Sequence, residues 1–276
     1  MKGVAIAAGL AATTLSFGTQ RTQPDVSTKA IVTAAAAYVR DYQAQMRFVV
    51  ADEIYVQEVL RTPGGIERRE MTGELFLAFI PGDTEWIAVH DVAVVDGRPV
   101  TDRDALRALL QQGEVSQVAQ LVANRNAAFN IGTIRRNFNE PTLPLLLLGP
   151  KRVEGVAFDR RKVERIGETA RVTLSFTDRG RPTLIRTPRG GRIQSTGEMV
   201  VDAETGRVER TVLRVDHDNI QAGQSTDYTL DEKLKLWVPS VFREHYLGRG
   251  KNVQEMITCE ARYTNYRKFE VTGRIK

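Results

Sequence analysis

The chain has 276 residues, of which 42% are hydrophobic, and this is enough to form one large core or two small ones. The formal net charge is +5, but 39 Lys and Arg alternate along the chain with 34 Asp and Glu. No strongly basic face is therefore expected, and nucleic acid is not a predicted partner. The single cysteine excludes an intrachain disulfide. One elaborated α+β domain is the simplest interpretation.

The N-terminus, residues 1–18, is typical of a secretory signal peptide. A short basic start, Met1-Lys2, precedes the apolar run GVAIAAGLAATTLSFG, which ends in small residues of the kind that a signal peptidase reads. The alternative is the Ala-rich terminus of a cytoplasmic protein. The signal predicts a periplasmic or secreted mature chain, residues 19–276, that forms a single domain. No apolar run reaches the ~20 residues that cross a bilayer, so no transmembrane segment is predicted.

Helical and strand periodicities alternate in the first part of the mature chain. From Ser27 to Val50, apolar residues recur at helical spacing, and Ser27 is a suitable N-cap. Strands are predicted in EIYVQEVLR, ERREMTGELFLAFI and WIAVHDVAVV, and the dipeptide Asp96-Gly97 then favours a tight hairpin. Because both faces of the second and third strands are apolar, we expect helices over one face of this part of the sheet.

Residues 101–149 are predicted to form a helical insert. RDALRALLQQ and EVSQVAQLVANRNAAFN have helical periodicity, with Thr101 or Asp102 as a cap. PTLPLLLLGP is predicted to be a short apolar helix or tight segment whose leucines belong to the core. The alternative for these leucines is an exposed contact with a membrane or a partner.

Strand patterns resume at about Val153 and continue to the end of the chain. In RVTLSF, apolar and polar residues alternate, which predicts a wet outer face and an apolar inner face. In LWVPSVFREHY, Pro239 indicates an edge, a bulge or a strand start. In ITCEARY, the alternation places Cys259 among apolar neighbours, where it acts as a small buried side chain rather than a reactive thiol.

Three stretches in the C-terminal half carry a resemblance to a known family: VVDAETGRVERTVL, STDYTLDEKLKLWVPSVFREHY and ARYTNYRKFEV. Over roughly residues 170–271 the chain resembles exported bacterial proteins similar to the lipoprotein-carrier (LolA-like) superfamily. This resemblance implies an α+β fold in which a large curved antiparallel β-sheet, a half-barrel, has helices packed on its concave side. It also implies binding of acyl chains or of sensor peptides.

The first functional hypothesis is an exported, non-catalytic binding protein that encloses a hydrophobic ligand such as a lipid or acyl chain. A fully packed core between sheet and helices is the alternative use of the same apolar faces. Aromatic side chains are the candidate lining of the cavity: Phe76, Phe79, Trp86, Phe176, Trp237 and Phe242. The second hypothesis is an envelope protein-interaction or sensor module without a ligand cavity, which binds a protein or peptide through the sheet edge and an arginine-rich hairpin.

Positive charge is concentrated in DRGRPTLIRTPRGGR, a predicted hairpin with its turn at Gly190-Gly191. Guanidinium groups suit phosphate, so an anionic lipid headgroup is a candidate contact, and a solvated loop is the alternative. The candidate contact residues are Arg179, Arg181, Arg186, Arg189 and Arg192.

No catalytic, cofactor or metal site is predicted. The motifs G-x-S-x-G, G-x-x-x-x-G-K-[ST] and H-E-x-x-H do not occur in the chain. The segment Asp216-His217-Asp218 is interpreted as a solvated turn, and only a cluster of His90 with Asp216 and His217 would favour an enzyme. Adjacent residues of a strand point to opposite faces, so Glu244 and His245 are expected to diverge. The acid pair Asp52-Glu53 is expected at a solvated element end.

Overall fold

The computed structural model describes residues 27–47, 49–79, 84–101, 122, 124–134, 136, 139–167, 169–187, 189–250 and 254–268. The predicted signal peptide and the predicted helix RDALRALLQQ lie outside these residues. The α-helix α1 spans Thr28–Met46. The strands are β1 Val49–Thr62, β2 Ile66–Phe79, β3 Trp86–Val95, β4 Arg98–Pro99, β5 Val156–Ile166, β6 Thr169–Asp178, β7 Ile185–Arg186, β8 Arg192–Ile193, β9 Ser195–Asp202, β10 Val208–His217, β11 Ile220–Asp231, β12 Leu236–Arg249 and β13 Gln254–Lys268.

Helix α1 begins where the sequence predicts and ends earlier. The Ser27 side chain accepts a hydrogen bond from the Ala30 amide at 3.2 Å, which confirms the N-cap. The helix was expected to reach Val50 but ends at Met46, because Val49 and Val50 already pair with β13. The buried stripe follows the predicted periodicity: Ile31, Ala35, Val39, Tyr42 and Met46.

The strands form one large antiparallel sheet. Within the described residues it has 11 strands in the order β4-β3-β2-β1-β13-β12-β11-β10-β9-β6-β5, and β7 and β8 form a separate hairpin. The sheet is open, since β4 and β5 lie at opposite edges and do not pair with each other. The predicted large antiparallel sheet is therefore confirmed. Its curvature into a half-barrel with helices on the concave side stays a prediction, as does the single-domain organisation.

Apolar side chains fill one face of the sheet, here called the inner face. Helix α1 packs on it, and the rings of Tyr42 and Trp86 lie 6.5 Å apart. The 3₁₀ helix Leu143–Leu148 packs there too, and every one of its residues is buried, which confirms that the leucines belong to the core. Gly206, with φ +72°, lies so close to Ala34 that a Cβ would be 2.2 Å from the helix backbone.

The opposite face, here called the outer face, is covered near β3. The helical residue Val122 packs there against Val89, together with Phe76 and Ile87. This agrees with the prediction that strands with two apolar faces are covered on both sides. Across β1, β13, β12, β11 and β10, the outer-face side chains are exposed or half-buried, except for Val50 at the start of β1, which pairs with Phe76 and is buried.

The predicted turns and the irregularity at Pro239 are confirmed. Asp96 and Gly97 both have positive φ, 49° and 77°, in the tight turn between β3 and β4. In β12, Val241 lies opposite Asp227 and Pro239 opposite Tyr228, so the strand carries one extra residue, a β-bulge. The bulge accommodates a residue that has no amide hydrogen for the ladder.

The two long edges of the sheet are protected in different ways. Strand β5 is exposed from Asp159 to Ile166, carries Arg160 and Lys162, and bulges between these two residues. At the β3 edge, the Asn126 side chain donates to the Ala88 carbonyl at 2.8 Å and accepts from the His90 amide at 3.1 Å. Charges, bulges and covering groups of this kind oppose pairing with another chain.

Candidate functional site

The described residues within 124–142 (124–134, 136 and 139–142), here called the covering segment, contact the inner face between β3 and β12. The sheet holds the irregular part that follows the helical residues 124–127 through its side chains. Glu255 accepts from the Thr133 amide at 2.8 Å, and the Thr226 hydroxyl donates to the Pro141 carbonyl at 2.6 Å. Buried backbone groups outside regular structure require such partners. The covering segment is thus attached by polar side chains and not by a strand ladder.

His90 connects the sheet to the covering segment. One ring nitrogen, Nδ1, lies 2.7 Å from Glu53 and the other, Nε2, lies 2.9 Å from the Asn139 carbonyl. Both of these neighbours are hydrogen-bond acceptors, so both nitrogens carry hydrogen and the ring is an imidazolium. Burial alone lowers the pKa of His90, but the Glu53 carboxylate and the two hydrogen bonds raise it to about 9.

The buried position of Glu53 corrects the prediction that Asp52-Glu53 lies at a solvated element end. Both Glu53 and His90 are only 4% exposed. Strand β1 begins at Val49, four residues earlier, so Glu53 falls inside the strand on the same face as Ala51 and Tyr55. A charge buried in this way requires an opposite charge or hydrogen bonds, and His90 supplies both.

A second buried carboxylate, Glu244, lies on the inner face of β12. It accepts hydrogen bonds from Tyr55 at 2.5 Å and from Tyr246. Burial raises the pKa of Glu244, while both tyrosine hydroxyls and the Arg136 charge oppose the rise. Its neighbour His245 is exposed, so the predicted divergence of these two side chains is confirmed.

Arg136 brings a positive charge from the covering segment into this interior and is only 1% exposed. Its guanidinium donates to the Gln57 side chain at 2.6 Å and to Cys259 at 2.9 Å, and it lies 5.5 Å from the Tyr246 ring centroid. Cys259 itself is buried, as predicted, and burial raises the pKa of its thiol to about 12. Arg136, His90 and the two carboxylates therefore hold the covering segment on the sheet. These four side chains are themselves buried.

The histidines and acids considered as an enzyme site lie apart. In the part of the chain that the structure describes, no group of three or more His, Cys, Asp or Glu side chains is arranged to hold a metal. His217 lies 3.4 Å from Asp218 beside an exposed turn, whereas His90 is in the core. The structure does not bring His90, Asp216 and His217 together.

The candidate lining residues are divided between the two faces. Trp86, Phe176 and Phe242 are buried in the inner core, and Phe79 and Trp237 are partly buried against it. Phe76 lies on the outer face beside Val89. Contact of these side chains with a ligand stays a prediction.

The arginine hairpin is exposed and its turn lies at Gly190, with φ +80°. Asp178, the only acid of this stretch, is buried and accepts from the Gly180 and Leu184 amides at 2.9 and 2.7 Å. The Asp178 carboxylate therefore orders the loop through these backbone hydrogen bonds instead of pairing with the arginines. Within the described residues, no ion pair is formed by the arginines at 179, 181, 186, 189 and 192. Their contact with an anionic group stays a prediction.

An open groove of about 750 Å³ crosses the outer face from β1 to β10. Ile54 and Val56 contribute apolar surface to it. Its polar lining includes four arginines and three glutamates together with His245: Arg210, Arg214, Arg243, Arg262, Glu58, Glu244 and Glu260.

Exposed apolar side chains form a row beside this groove. Leu60 pairs in register with Ile66 of β2 and with Met256 of β13, and Met256 pairs with Leu247 of β12. Ile66, Leu60 and Met256 are 76%, 40% and 44% exposed. We call Ile66, Leu60, Met256 and Leu247 the apolar row. The sequence signal that could have revealed this row is that Leu60 and Met256, both apolar, occupy positions that the strand alternation assigns to the solvent-facing side.

Comparison with known proteins yields structural similarity alone. No protein-family model matches the chain, and no curated protein matches it. A solved outer membrane lipoprotein-sorting protein domain from Vibrio parahaemolyticus has 10% identity and a TM-score of 0.38 over 89% of this chain and 94% of that chain. A LolA superfamily protein from Nitrosomonas europaea has 9% identity and a TM-score of 0.30 over 89% and 95%. The MucA/MucB complex of Pseudomonas aeruginosa gives 10% identity and a TM-score of 0.20 over 86% and 99%.

These solved structures include members of the superfamily that the C-terminal strands resemble. At such TM-scores the similarity carries no argument about a ligand or a partner. Among the described residues, no helix has the length and apolar character needed to cross a membrane.

Proposed function

We propose that this protein is an exported, non-catalytic binding protein of the cell envelope that binds another protein on the outer face of its sheet. The observation that carries the proposal is the apolar row, which is exposed on neighbouring strands next to an open groove. Contiguous exposed apolar surface of this kind marks interaction sites in soluble proteins. The predicted signal peptide supports an envelope location.

The face of the sheet is a better binding surface than its edge. The long edge strand β5 bulges between Arg160 and Lys162, and its side chains from Asp159 to Ile166 are exposed and mostly charged. These features discourage the addition of another strand. At the β3 edge, the Asn126 side chain already bonds to the backbone groups of Ala88 and His90 that an added strand would use. The partner is therefore proposed to bind the outer face of the sheet and not its edge.

Site-specific photocrosslinking in the native host tests this function. A photoreactive residue replaces Leu60 in the full chain, and a matched control carries it at Ile166 on β5, which is 49% exposed. We expect a reproducible adduct with one envelope protein from position 60 and none from position 166. The adduct disappears on Met256→Asp. Equal adducts at both positions, or none at position 60, contradict the proposal.

A second candidate function is the binding of a hydrophobic ligand between the inner face and the covering segment. It is favoured by the polar attachment of that segment, since the bonds of His90 and Arg136 can be exchanged for water without unpairing a strand. Trp86 and Phe242 then become the floor of a cavity. Native mass spectrometry of protein purified from its own host, with lipid extraction, checks this. Protein that never carries or takes up an acyl ligand contradicts it.

The arginine hairpin is proposed to contact anionic groups such as lipid phosphate. Its exposed guanidinium groups have no neutralising acid among the described residues, which supports this role. We expect Arg186→Glu to weaken flotation with phosphatidylglycerol vesicles, whereas the control Arg165→Glu on β5 leaves it unchanged. Equal flotation of both variants contradicts a specific role for the hairpin.

A further inference from the structure

Resting on the proposed function, we propose that the outer face receives an acidic amphipathic helix of its partner, which lies across β2, β1, β13 and β12. Three independent features of the surface define this occupant. They are the length of the apolar row, the excess of cations beside it and the position of those cations relative to the row.

The apolar row matches the stripe of a helix that crosses the strands. Its side chains occupy four adjacent strands in register, from Ile66 through Leu60 and Met256 to Leu247. Three interstrand steps span about 14 Å. Apolar residues at positions i, i+4, i+7 and i+11 of a helix span about 16 Å. A partner strand running in this direction would place its backbone groups on side chains, with no ladder to join.

The groove beside the row has more cations than anions. Asp227 is shared by Arg210 and Arg243, and Glu260 is shared by Arg243 and Arg262. Two carboxylates therefore serve three guanidinium groups, and Glu58, a further acid that lines the groove, is paired with Arg68 at 3.7 Å. Arg214 forms no ion pair with any acid in the described residues. A partner segment with carboxylates complements this surface, whereas a basic segment is repelled.

Arg214, which is unpaired among the described residues, lies beyond the β12 end of the row. Arg214 is opposite Gly223, which is opposite His245, and His245 is opposite Thr258. This line of residues is two positions along the strands from Leu247 and Met256, or about 7 Å away, and it continues from Thr258 to Glu58 of β1 and Arg68 of β2. Arg214 itself lies two strands beyond β12, about 10 Å further across the sheet. A helix about 10 Å across that rests on the apolar row brings its flank over this line, and a helix of about 18 residues, about 27 Å long, continues over β11 and β10 to reach Arg214.

Gly223 shapes the surface at this point. A Cβ there would lie 2.1 Å from Cε1 of the His245 ring, so the glycine allows the imidazole to lie flat over the sheet. The line continues from Arg214 through Thr196 to Thr177, beside the root of the arginine hairpin. An acidic end of the helix thus meets Arg214, and the line ends beside the arginine hairpin.

An anionic membrane surface fits this face less well. Glu58, two residues from Leu60, and Glu260 both line the groove, so a flat anionic bilayer would press them against like charge. A helix contacts only the row and one flank. It leaves Glu260 uncovered, and Glu58 under its flank is already paired with Arg68 at 3.7 Å.

Binding of designed peptides to the full chain tests the proposal. The probe is an amidated and acetylated helix of about 18 residues with leucines at i, i+4, i+7 and i+11 and glutamates on the flanks. A second peptide has lysine in place of each glutamate. We expect the glutamate peptide to bind about tenfold more tightly than the lysine peptide at low salt, and the difference to shrink as salt rises.

Variants of the protein locate the site. Arg214→Glu is expected to weaken the glutamate peptide about tenfold and Met256→Asp to abolish its binding, as measured by fluorescence anisotropy. The exposed controls Arg165→Glu and Ile166→Asp on β5 leave the affinity within about twofold. Circular dichroism verifies the fold of each variant. If Met256→Asp does not fold, Met256→Thr replaces it.

The proposal is overturned if both peptides bind equally, if Arg214→Glu has no effect, or if the chain instead binds anionic vesicles through a contact that Met256→Asp removes. The crosslinking experiment separates this result from failure of the proposed function. An adduct from position 60 without peptide binding keeps the protein-binding function and rejects the acidic helix. If neither the adduct nor peptide binding is found, the protein-binding function and the acidic helix are both rejected.

Discussion

Replacing His90 by leucine is the sharpest test of the buried charges. The change removes the hydrogen bonds to Glu53 and to the Asn139 carbonyl and leaves the Glu53 carboxylate, 4% exposed, without its counter-charge. Breaking a buried ion pair on one side costs about 3–5 kcal/mol. That is a large part of the ~5–15 kcal/mol that holds a typical domain folded.

Urea unfolding at pH 6.5 measures this loss. His245→Leu, at an exposed histidine, is the matched control and is expected to change the free energy of unfolding by less than about 0.5 kcal/mol. In the double variant with Glu53→Gln, the loss is smaller than the sum of the two single losses, because no uncompensated charge remains buried.

The same pair makes the stability depend on pH. The pKa of His90 is raised from 6.5 to about 9 in the folded protein, so its contribution is complete below pH 6.5 and is lost as the pH rises through 9. A shift of this size corresponds to roughly 3 kcal/mol. The difference in the free energy of unfolding between the wild type and His90→Leu should therefore narrow between pH 6.5 and pH 9. A gap below about 1 kcal/mol, or one that does not change with pH, refutes the assignment of a buried imidazolium.

Three further predictions concern the core. Gly206→Ala is expected to lower the free energy of unfolding by roughly 2 kcal/mol or more in urea titrations, because φ is +72° and the new Cβ meets the Ala34 backbone. A loss below about 0.5 kcal/mol would contradict that contact. Leu145→Ala, at a fully buried position of the 3₁₀ helix, is expected to lower the thermal midpoint through a loss of about 2–5 kcal/mol, and an unchanged midpoint would be inconsistent with a packed core. Cys259, with a thiol pKa of about 12, should resist dithionitrobenzoate at pH 8 until urea unfolds the chain. Rapid labelling of the native protein would show that the covering segment opens.

The sequence predicts those parts of the fold in which periodicity and local chemistry agree. The cap at Ser27, the turn at Asp96-Gly97 and the bulge at Pro239 each follow from the chemistry of one or two residues. The four consecutive leucines of residues 145–148 predict a core segment, with an exposed contact as the alternative, and burial of the whole 3₁₀ helix confirms the core.

The buried polar site could not be predicted in the same way. In β1, Glu53, Tyr55 and Gln57 alternate with Ile54, Val56 and a further acid, so both faces have mixed polarity and hydrophobicity does not select the inner one. Burial of Glu53 and Gln57 depends on partners far away in the chain. Arg136 is separated from Gln57 by 79 positions, and no local pattern encodes this contact.

The pairing of β1 with β13 has a consequence for how the molecule forms. These strands are the only junction between β4-β3-β2-β1 and β13-β12-β11-β10-β9-β6-β5 in the described sheet, and the hydrogen bond between Asn265 and Asp52 joins positions 213 residues apart. Contacts of such high sequence separation close a long loop before they gain stability, which makes folding slow. Each half of the sheet keeps an unpaired edge until β13 has been synthesised and has paired. Unpaired edges make partly folded chains prone to aggregation, so the last strand determines when this exposure ends.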